Sequence, residues 1–206
     1  MNTILTLLIA GLGWKILCLH YQRAHITLLG SHLAKLQLER HMETLTEGYT
    51  RAIHEDAEMR QIQVFETFAP TERAVAAQSQ TLAEAMRKES AQDASMGTLP
   101  FCVPYIERFL PFMTRDFRKL LAIHAAGLRH VVDNEGAWNL KDRAYHLSAE
   151  LYLLQHSCHW FCKSRAVADA RLALRHKVKH QQVLDAVSPQ TRSAYLRWLG
   201  SGPPEG

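Results

Sequence analysis

The sequence predicts an all-α protein with a single N-terminal transmembrane helix, a long amphipathic helical arm and a small distal helical bundle. The first 20 of its 206 residues are mostly apolar, and apolar side chains recur at intervals of three and four through most of the remainder. Glycine (10) and proline (7) are scarce, and runs of β-branched residues are nearly absent. A hydrophobic content of 47% is ordinary for a globular chain, and it excludes a disordered chain or a protein with many membrane spans.

Residues 1–21 are predicted to be the membrane anchor. The apolar run 3–19 contains Lys15 as its one charged residue, and a spanning helix needs roughly 17–25 apolar residues. Four side chains are predicted at the membrane interface, where aromatic rings and long basic side chains reach the headgroups: Trp14, Lys15, Tyr21 and Arg23.

Two other interpretations of the apolar run are a cleaved signal peptide and a buried helix of a soluble bundle. A signal peptide carries positive charge before its apolar part and a small-residue cleavage site after it, and neither is present here. We therefore favour the anchor. The positive charges follow the apolar run, which predicts an outside N-terminus and a cytoplasmic location for the rest of the chain.

Residues 22–92 are predicted to form a membrane-proximal helical arm. Apolar side chains form two heptad-like seams with a two-residue phase shift between them, Leu29, Leu33 and Leu36 in the first, and Leu38, Met42, Leu45, Tyr49 and Ala52 in the second. They fit a short coiled coil or a long amphipathic helix packed on the rest of the chain. Pro70 predicts an interruption, with a new helix starting at that proline.

Residues 93–100 are predicted to be a linker, because Gly97 and Pro100 punctuate a short polar segment. The helical bundle then occupies 101–200, and 201–206 is predicted to be a disordered tail. The bundle opens with a segment, 101–112, whose density of aromatic residues predicts core and whose prolines allow one short helix.

Local signals mark the helices of the bundle. The first long helix of the bundle has an apolar face from residue 117 to 131, and it is predicted to end near Gly136. Asn139 is predicted to cap the next, central helix, with Asp142 in the capping-box position, and we expect that helix to continue through Ser164 to Val178. Ser188 and Pro189 predict the start of the last helix, which Gly200 ends.

A Cys/His cluster on the central helix is a candidate metal or haem site. It comprises His156, Cys158, His159 and Cys162. Cys158 and Cys162 share a helical face, and such side chains bind zinc, copper or iron when another helix supplies further ligands. The spacing matches neither a CxxC motif nor a haem signature, so the favoured interpretation is two small buried cysteines beside half-exposed histidines. A cytoplasmic location would keep the four cysteines of the chain reduced.

One helical face carries Asp142, His146 and Glu150 at four-residue steps. A general base with an orienting carboxylate has this pattern, but so does an exposed face with weak ion pairs, which we favour. No nucleophile elbow, zinc-protease motif, phosphate-binding loop or dinucleotide fingerprint is present, so catalysis is disfavoured.

A basic surface is predicted on the distal bundle. Net charge is −2 for residues 1–100 and +6 for residues 101–206. The candidate side chains are Arg165, Arg171, Arg175, Lys177 and Lys179. They suit acidic lipid or acidic protein segments, or a modestly charged solvated face, while nucleic acid is disfavoured because no recognition helix can be defined.

The sequence therefore predicts a membrane-anchored, non-catalytic helical adaptor or structural subunit of an assembly such as a secretion or conjugation machine. Its expected partners are the membrane, other protein subunits and a second copy of the chain. The alternatives are a metal- or haem-binding helical protein and a basic module for nucleic acid or acidic segments.

Overall fold

The computed structural model describes residues 2–53 and 58–200, and within them it confirms the predicted all-α class. The predicted tail, 201–206, lies outside the described residues. The described elements are α1 (Asn2–Leu33), α2 (Leu38–Ile53), α3 (Glu58–Met86), β1 (Ser95–Gly97), α4 (Ile106–Phe109), β2 (Thr114–Asp116), α5 (Phe117–Val132), α6 (Leu140–Cys162), α7 (Arg165–His176), α8 (His180–Ala186) and α9 (Pro189–Gly200).

Helix α1 has two parts with different surroundings. Every side chain from 3 to 17 is exposed, although the segment is rich in leucine and isoleucine. Further along, His25 and Leu29 are buried against the rest of the protein. The stretch Thr3–Leu33 is long and apolar enough to cross a membrane. One unbroken helix thus joins an unpacked apolar segment to the folded core.

The two apolar seams pack within the chain itself. The helix breaks at residues 34–37, between Leu33 and Leu38, which is where the pattern shifts phase. Leu38, Leu45 and Tyr49 are then buried between α2 and its neighbours. The phase shift in the sequence therefore marks the turn that lets α2 fold onto α3 and α6.

The predicted interruption at Pro70 is wrong, because α3 runs through it as one helix of 29 residues. A proline inside a helix removes one backbone hydrogen bond and costs about 3 kcal/mol. Phe65 and Val75, on either side, are fully buried, and each such side chain contributes about 1.5–3 kcal/mol. Packing on both sides of the proline outweighs the local penalty.

The segment predicted as a linker contains strand β1. Its residues Ser95, Met96 and Gly97 pair in antiparallel register with Asp116, Arg115 and Thr114 of β2. Met96 is buried, and the indole of Trp160 donates a hydrogen bond to the carbonyl oxygen of Gly97 at 2.9 Å. This short ribbon attaches segment 98–113 to the folded core at both of its ends.

Helix α6 is the central element, and it contacts α1, α2, α3, α5, α7 and α8. Its predicted cap is confirmed, since Asn139 Oδ1 accepts from the backbone N–H of Asp142 at 2.9 Å. It ends at Cys162 instead of continuing to Val178, because Ser164 caps a separate helix, α7, by accepting from the N–H of Val167.

One hydrophobic core extends from Leu29 to Trp198, so residues of the predicted arm and of the predicted bundle pack together. A buried ion pair joins the two parts, with Glu72 of α3 and Arg143 of α6 3.0 Å apart. The hydroxyl of Tyr49 in α2 donates to the same carboxylate. Polar groups buried this deeply are stable only when paired.

Candidate functional site

The two faces of α6 border different environments, and the residues of the predicted Cys/His cluster are divided between them. Residues four apart lie on one helical face, whereas residues two apart are separated by about 200° of rotation. Cys158 and Cys162 consequently line one cavity together, while His156 points to the other side, toward α7 and α8.

The cavity has a volume of about 400 Å³ and lies between α1, α2, α6 and α7. Its wall is mainly apolar, formed by Leu29, Leu33, Leu38, Met42, Leu151, Leu154, Cys158 and Cys162. Glu39, Glu43, His159, Arg175 and His176 supply polar groups to the same lining. Small-molecule sites have volumes of about 300–1,000 Å³ and this mixture of surfaces. The cavity is therefore of the size that takes a small apolar group.

The charged groups of this lining are largely engaged with one another. Arg175 of α7 lies 2.9 Å from Glu43 of α2 in an ion pair. His176 Nε2 donates to Gln155 Oε1 at 2.8 Å. Burial, together with nearby Arg171, lowers the pKa of His159 to about 4, so this imidazole is neutral at pH 7.

The two cavity cysteines are free thiols. Burial raises the pKa of Cys162 to about 11 and raises the pKa of Cys158 further, with each effect dominated by the cost of holding a thiolate away from water. Since the thiolate is the form that attacks electrophiles and binds metals, both side chains are protonated and weakly reactive at neutral pH.

On the opposite face of α6, His156 belongs to a buried network that the sequence did not indicate. Its Nε2 donates to Asp169 Oδ1 at 2.8 Å, and its ring lies 4.4 Å from the ring of His180. His180 in turn shares a hydrogen bond of 3.1 Å with the hydroxyl of Tyr195. The network joins α6 to α7, α8 and α9.

A second buried histidine, His124 of α5, extends the network. It shares a 2.9 Å hydrogen bond with Ser157 Oγ. Burial lowers its pKa to about 3, and burial lowers the pKa of His180 to about 4. These imidazoles are neutral packing elements, because charging any of them would place a cation in a region that excludes water.

The structure does not bring the four predicted metal ligands together. Within residues 2–53 and 58–200, no group of three His, Cys, Asp or Glu side chains is placed to hold a metal ion. His156 is engaged with Asp169, and the two thiols face the cavity. The cluster therefore divides between a polar network and an apolar wall.

The predicted triplet Asp142, His146 and Glu150 is also separated. Asp142 takes part in the helix cap, and His146 Nδ1 donates to the carbonyl oxygen of Ala186 at 2.8 Å. Glu150 is fully buried, so the interpretation of this face as exposed is wrong for that residue. Its Oε1 accepts from both the N–H and the hydroxyl of Ser188.

The five predicted basic side chains occupy different environments. Arg165 lies over the ring of Trp160 at 5.4 Å, and Arg175 pairs with Glu43. Arg175 is exposed, as are Arg171, Lys177 and Lys179. Because Glu43 offsets the charge of Arg175, the net positive charge of this surface comes mainly from Arg171, Lys177 and Lys179.

Of the predicted interface residues, Trp14, Lys15 and Arg23 are exposed, while Tyr21 contacts the fold. Its hydroxyl donates to Glu107 Oε2 at 3.2 Å, and its ring lies 5.3 Å from that of Tyr105. One turn earlier, Cys18 Sγ donates to the carbonyl oxygen of Cys102 at 3.7 Å. Segment 101–112 therefore contacts α1 where its exposed apolar part ends.

The prediction that the aromatic segment 101–112 forms core is wrong for most of its large side chains. Phe101, Phe109 and Phe112 are 62%, 78% and 59% exposed. Ile106 is buried and holds the segment in place. Aromatic density alone does not distinguish a core segment from an exposed one, so no local pattern signals this arrangement.

A comparison of the chain with protein-family models, with curated proteins and with solved structures found no match.

Proposed function

We propose that the protein is a single-pass membrane protein, with its N-terminus outside and the rest in the cytoplasm, that acts as a non-catalytic adaptor or structural subunit of a membrane-associated assembly. The observation that carries the proposal is the construction of α1. Its first part presents apolar side chains in all directions, and its second part is embedded in the core at His25 and Leu29. A helix that is apolar all round and unpacked fits lipid.

The direction follows from charge. Lys15 and Arg23 lie toward the folded part of the chain, and the described residues before Lys15 carry no charged side chain. Basic residues near a span remain on the cytoplasmic side. This orientation places the cavity and the exposed basic side chains in the cytoplasm.

The exposed basic side chains Arg171, Lys177 and Lys179 form the surface we propose for partner binding, and acidic segments of another subunit are the proposed partner.

The height of this surface above the membrane favours a protein partner. His25 contacts Phe161, and α6 runs antiparallel to α1, so α6 extends away from the membrane from Phe161 toward Gln155. The helix rises by about 9 Å from Leu19 to His25 in α1, and by about another 9 Å from Phe161 to Gln155 in α6. Gln155 and its neighbour His176 therefore lie roughly 18 Å above the end of the span. This exceeds the Debye length of about 8 Å, so protein is a better partner than the headgroups of the same leaflet.

The anchor is tested by fractionating cells that express the full chain with a C-terminal reporter active only in the cytoplasm. The proposal predicts an active reporter in the membrane fraction. The variant Leu8→Arg/Leu12→Arg should move the reporter to the soluble fraction, because each arginine at the centre of a span costs about 2.5–3.5 kcal/mol. An active soluble reporter on the unaltered chain would contradict the anchor, and an inactive membrane-bound reporter would contradict the orientation.

The partner surface is tested by crosslinking in membranes with Arg171→Glu/Lys177→Glu/Lys179→Glu. The matched control is Arg87→Glu/Lys88→Glu, which reverses exposed charge elsewhere. The proposal predicts a crosslinked subunit that the triple variant loses and the control keeps, with a yield that falls as salt is raised. A lone monomer that captures no subunit would remove the adaptor proposal.

A further inference from the structure

We infer that segment 101–112 is a second membrane contact, an aromatic loop that inserts into the interface of the bilayer that α1 crosses. This inference rests on the proposed anchor. The segment is here named the aromatic loop, and its apolar contact residues are Phe101, Phe109, Leu110 and Phe112. All four are exposed, with exposed fractions from 39% for Leu110 to 78% for Phe109.

The position of the aromatic loop is fixed by its contacts with α1. Cys18 and Tyr21 are adjacent to the end of the apolar run, and they bind the loop through Cys102 and Glu107. Any part of the protein that touches α1 at this height is at the membrane surface. The exposed phenylalanines are therefore held beside the point where the helix enters lipid.

The aromatic loop is held in place by the rest of the fold. The N–H of Thr98 donates to the carbonyl oxygen of Met113 at 2.9 Å, which closes the base of the segment. The N–H of Ala166 donates to the carbonyl oxygen of Pro100 at 2.9 Å. With Ile106 buried below it, the segment presents a preformed surface, so little ordering is needed when it meets lipid.

The chemistry of the loop matches a bilayer interface better than a protein surface. Phenylalanine and leucine side chains of interfacial segments lie at the boundary between headgroups and acyl chains. Tyrosine concentrates at the level of the headgroups, because its ring is apolar and its hydroxyl is polar. Arg108 is exposed, and its guanidinium lies 5.1 Å from the centre of the Tyr105 ring, in a position to meet phosphate. A patch of this kind facing water would be an aggregation hazard.

The length of the anchor supports the same arrangement. The run 3–19 has 17 residues, which spans about 25 Å as a helix, while the hydrocarbon core is about 30 Å thick. A short span is accommodated by local thinning of the bilayer, which brings the protein beside its end close to the lipid. The aromatic loop is the part of the protein that lies beside the cytoplasmic end of this span.

The test uses the full chain with a photoreactive benzoylphenylalanine at a single position, reconstituted into vesicles of equal parts phosphatidylcholine and phosphatidylglycerol. Position 109 tests the loop. Tyr145 is the matched control, an aromatic residue that is 57% exposed and lies about 24 Å along α6 from Phe161. Position 8, in the exposed apolar part of α1, reports the anchor.

We expect phospholipid adducts at positions 8 and 109, with more lipid adduct at 109 than at 145. Adducts at position 8 with 109 no higher than 145 would overturn the loop contact and leave the anchor standing. A lack of adducts at position 8 as well would overturn the anchor and the loop contact together. A crosslinked dimer through position 109 would assign the loop to a second copy of the chain and overturn the lipid contact.

An independent measurement uses the conservative variants Phe109→Trp and Tyr145→Trp in vesicles whose acyl chains are brominated. The inference predicts that the tryptophan fluorescence added at 109 is quenched relative to unbrominated vesicles and that the fluorescence added at 145 is not. Equal quenching at the two positions would contradict it. Both substitutions replace one exposed aromatic residue with another, so we expect both variants to fold like the unaltered chain.

Discussion

The imidazole of His25 in α1 donates from Nδ1 to the carbonyl oxygen of Phe161 in α6 at 3.0 Å and stacks on the ring of the same residue at 4.4 Å. Phe161 in turn stacks on Phe117 of α5 at 4.1 Å. Two ring contacts and a hydrogen bond thus connect the anchor helix to the centre of the bundle.

Replacing His25 with alanine should weaken this connection. The change removes a buried hydrogen bond and a ring contact, and we expect the free energy of unfolding to fall by about 1–3 kcal/mol. Urea unfolding in detergent micelles measures it. The control His20→Ala alters an exposed histidine of the same helix. Equal unfolding midpoints for the two variants would show that the stack does not hold α1 to the fold.

Glu150 makes stability depend on pH near neutrality. Burial raises its pKa from 4.5 to about 7, against the hydrogen bonds from Ser188 and Thr191. A carboxyl whose pKa is higher in the folded state stabilises the fold while it is protonated. We therefore expect the contribution of Glu150 to the free energy of unfolding to decrease by on the order of 3 kcal/mol as pH rises from 4.5 to about 7. The difference in pH dependence between the unaltered chain and a Glu150 variant isolates this contribution from that of the buried histidines.

Glu150→Gln should remove that dependence, because the amide resembles the protonated carboxyl. Glu84→Gln, at an exposed position, is the control and should keep the pH dependence of the unaltered chain. Denaturant unfolding at a series of pH values measures how the free energy of unfolding changes with pH. If Glu150→Gln and the unaltered chain had the same pH dependence of stability between pH 4.5 and 7, Glu150 would not contribute to it.

The buried histidines contribute the opposite dependence over an overlapping range of pH. Burial depresses the pKa of His124 to about 3 and that of His180 to about 4, from an ordinary value of 6.5. The unfolded chain binds protons below pH 6.5 that the folded chain excludes, so stability falls as pH decreases from 6.5 toward 4. His124→Gln should reduce this slope, and His20→Gln should leave it unchanged. No difference in slope between the variants would contradict the buried, neutral state of His124.

Gly127 is required for the close approach of α5, α6 and α9. A Cβ added there would collide with the hydroxyl of Thr191 and would lie 2.7 Å from Glu150 Oε2. We expect Gly127→Ala to lower the free energy of unfolding by about 1–3 kcal/mol, as overpacking in a core does. Gly30→Ala is the control, because no atom lies within 4 Å of its added Cβ and alanine favours an exposed helix. Thermal unfolding measures the stability of the two variants. If Gly127→Ala were as stable as the unaltered chain, the helices would be able to move apart.

The ion pair between Glu72 and Arg143 should be costly to break on one side only. Arg143→Met leaves a buried carboxylate without its partner, and such changes cost about 3–5 kcal/mol. The double variant Glu72→Gln/Arg143→Met removes both charges and should recover much of the loss. The midpoints of urea unfolding measure the stability of the single and the double variant. If the double variant were less stable than Arg143→Met, the ion pair would not be the source of the effect.

Much of the fold was predictable because it depends on local patterns. Asn139 and Ser188 mark helix starts through their own side chains, and the short helix Ile106–Phe109 is confined by Pro104 and Pro111. The phase shift after Leu36 lies at the turn between α1 and α2, although the pattern by itself fits one long helix equally well. The candidate site was less predictable, because its contacts join residues far apart in the chain.

Periodicity, capping and composition within a few residues were enough to predict the helical class, the position of the long apolar segment, the start of α6 and both ends of α9. The continuation of α3 through Pro70, the burial of Glu150 and the contact of the aromatic loop with α1 emerged only from the tertiary structure. Each of these depends on a neighbour distant in sequence. Buried neighbours supply the packing energy that overrides the penalty at Pro70, and the desolvation that shifts Glu150, which no local pattern encodes.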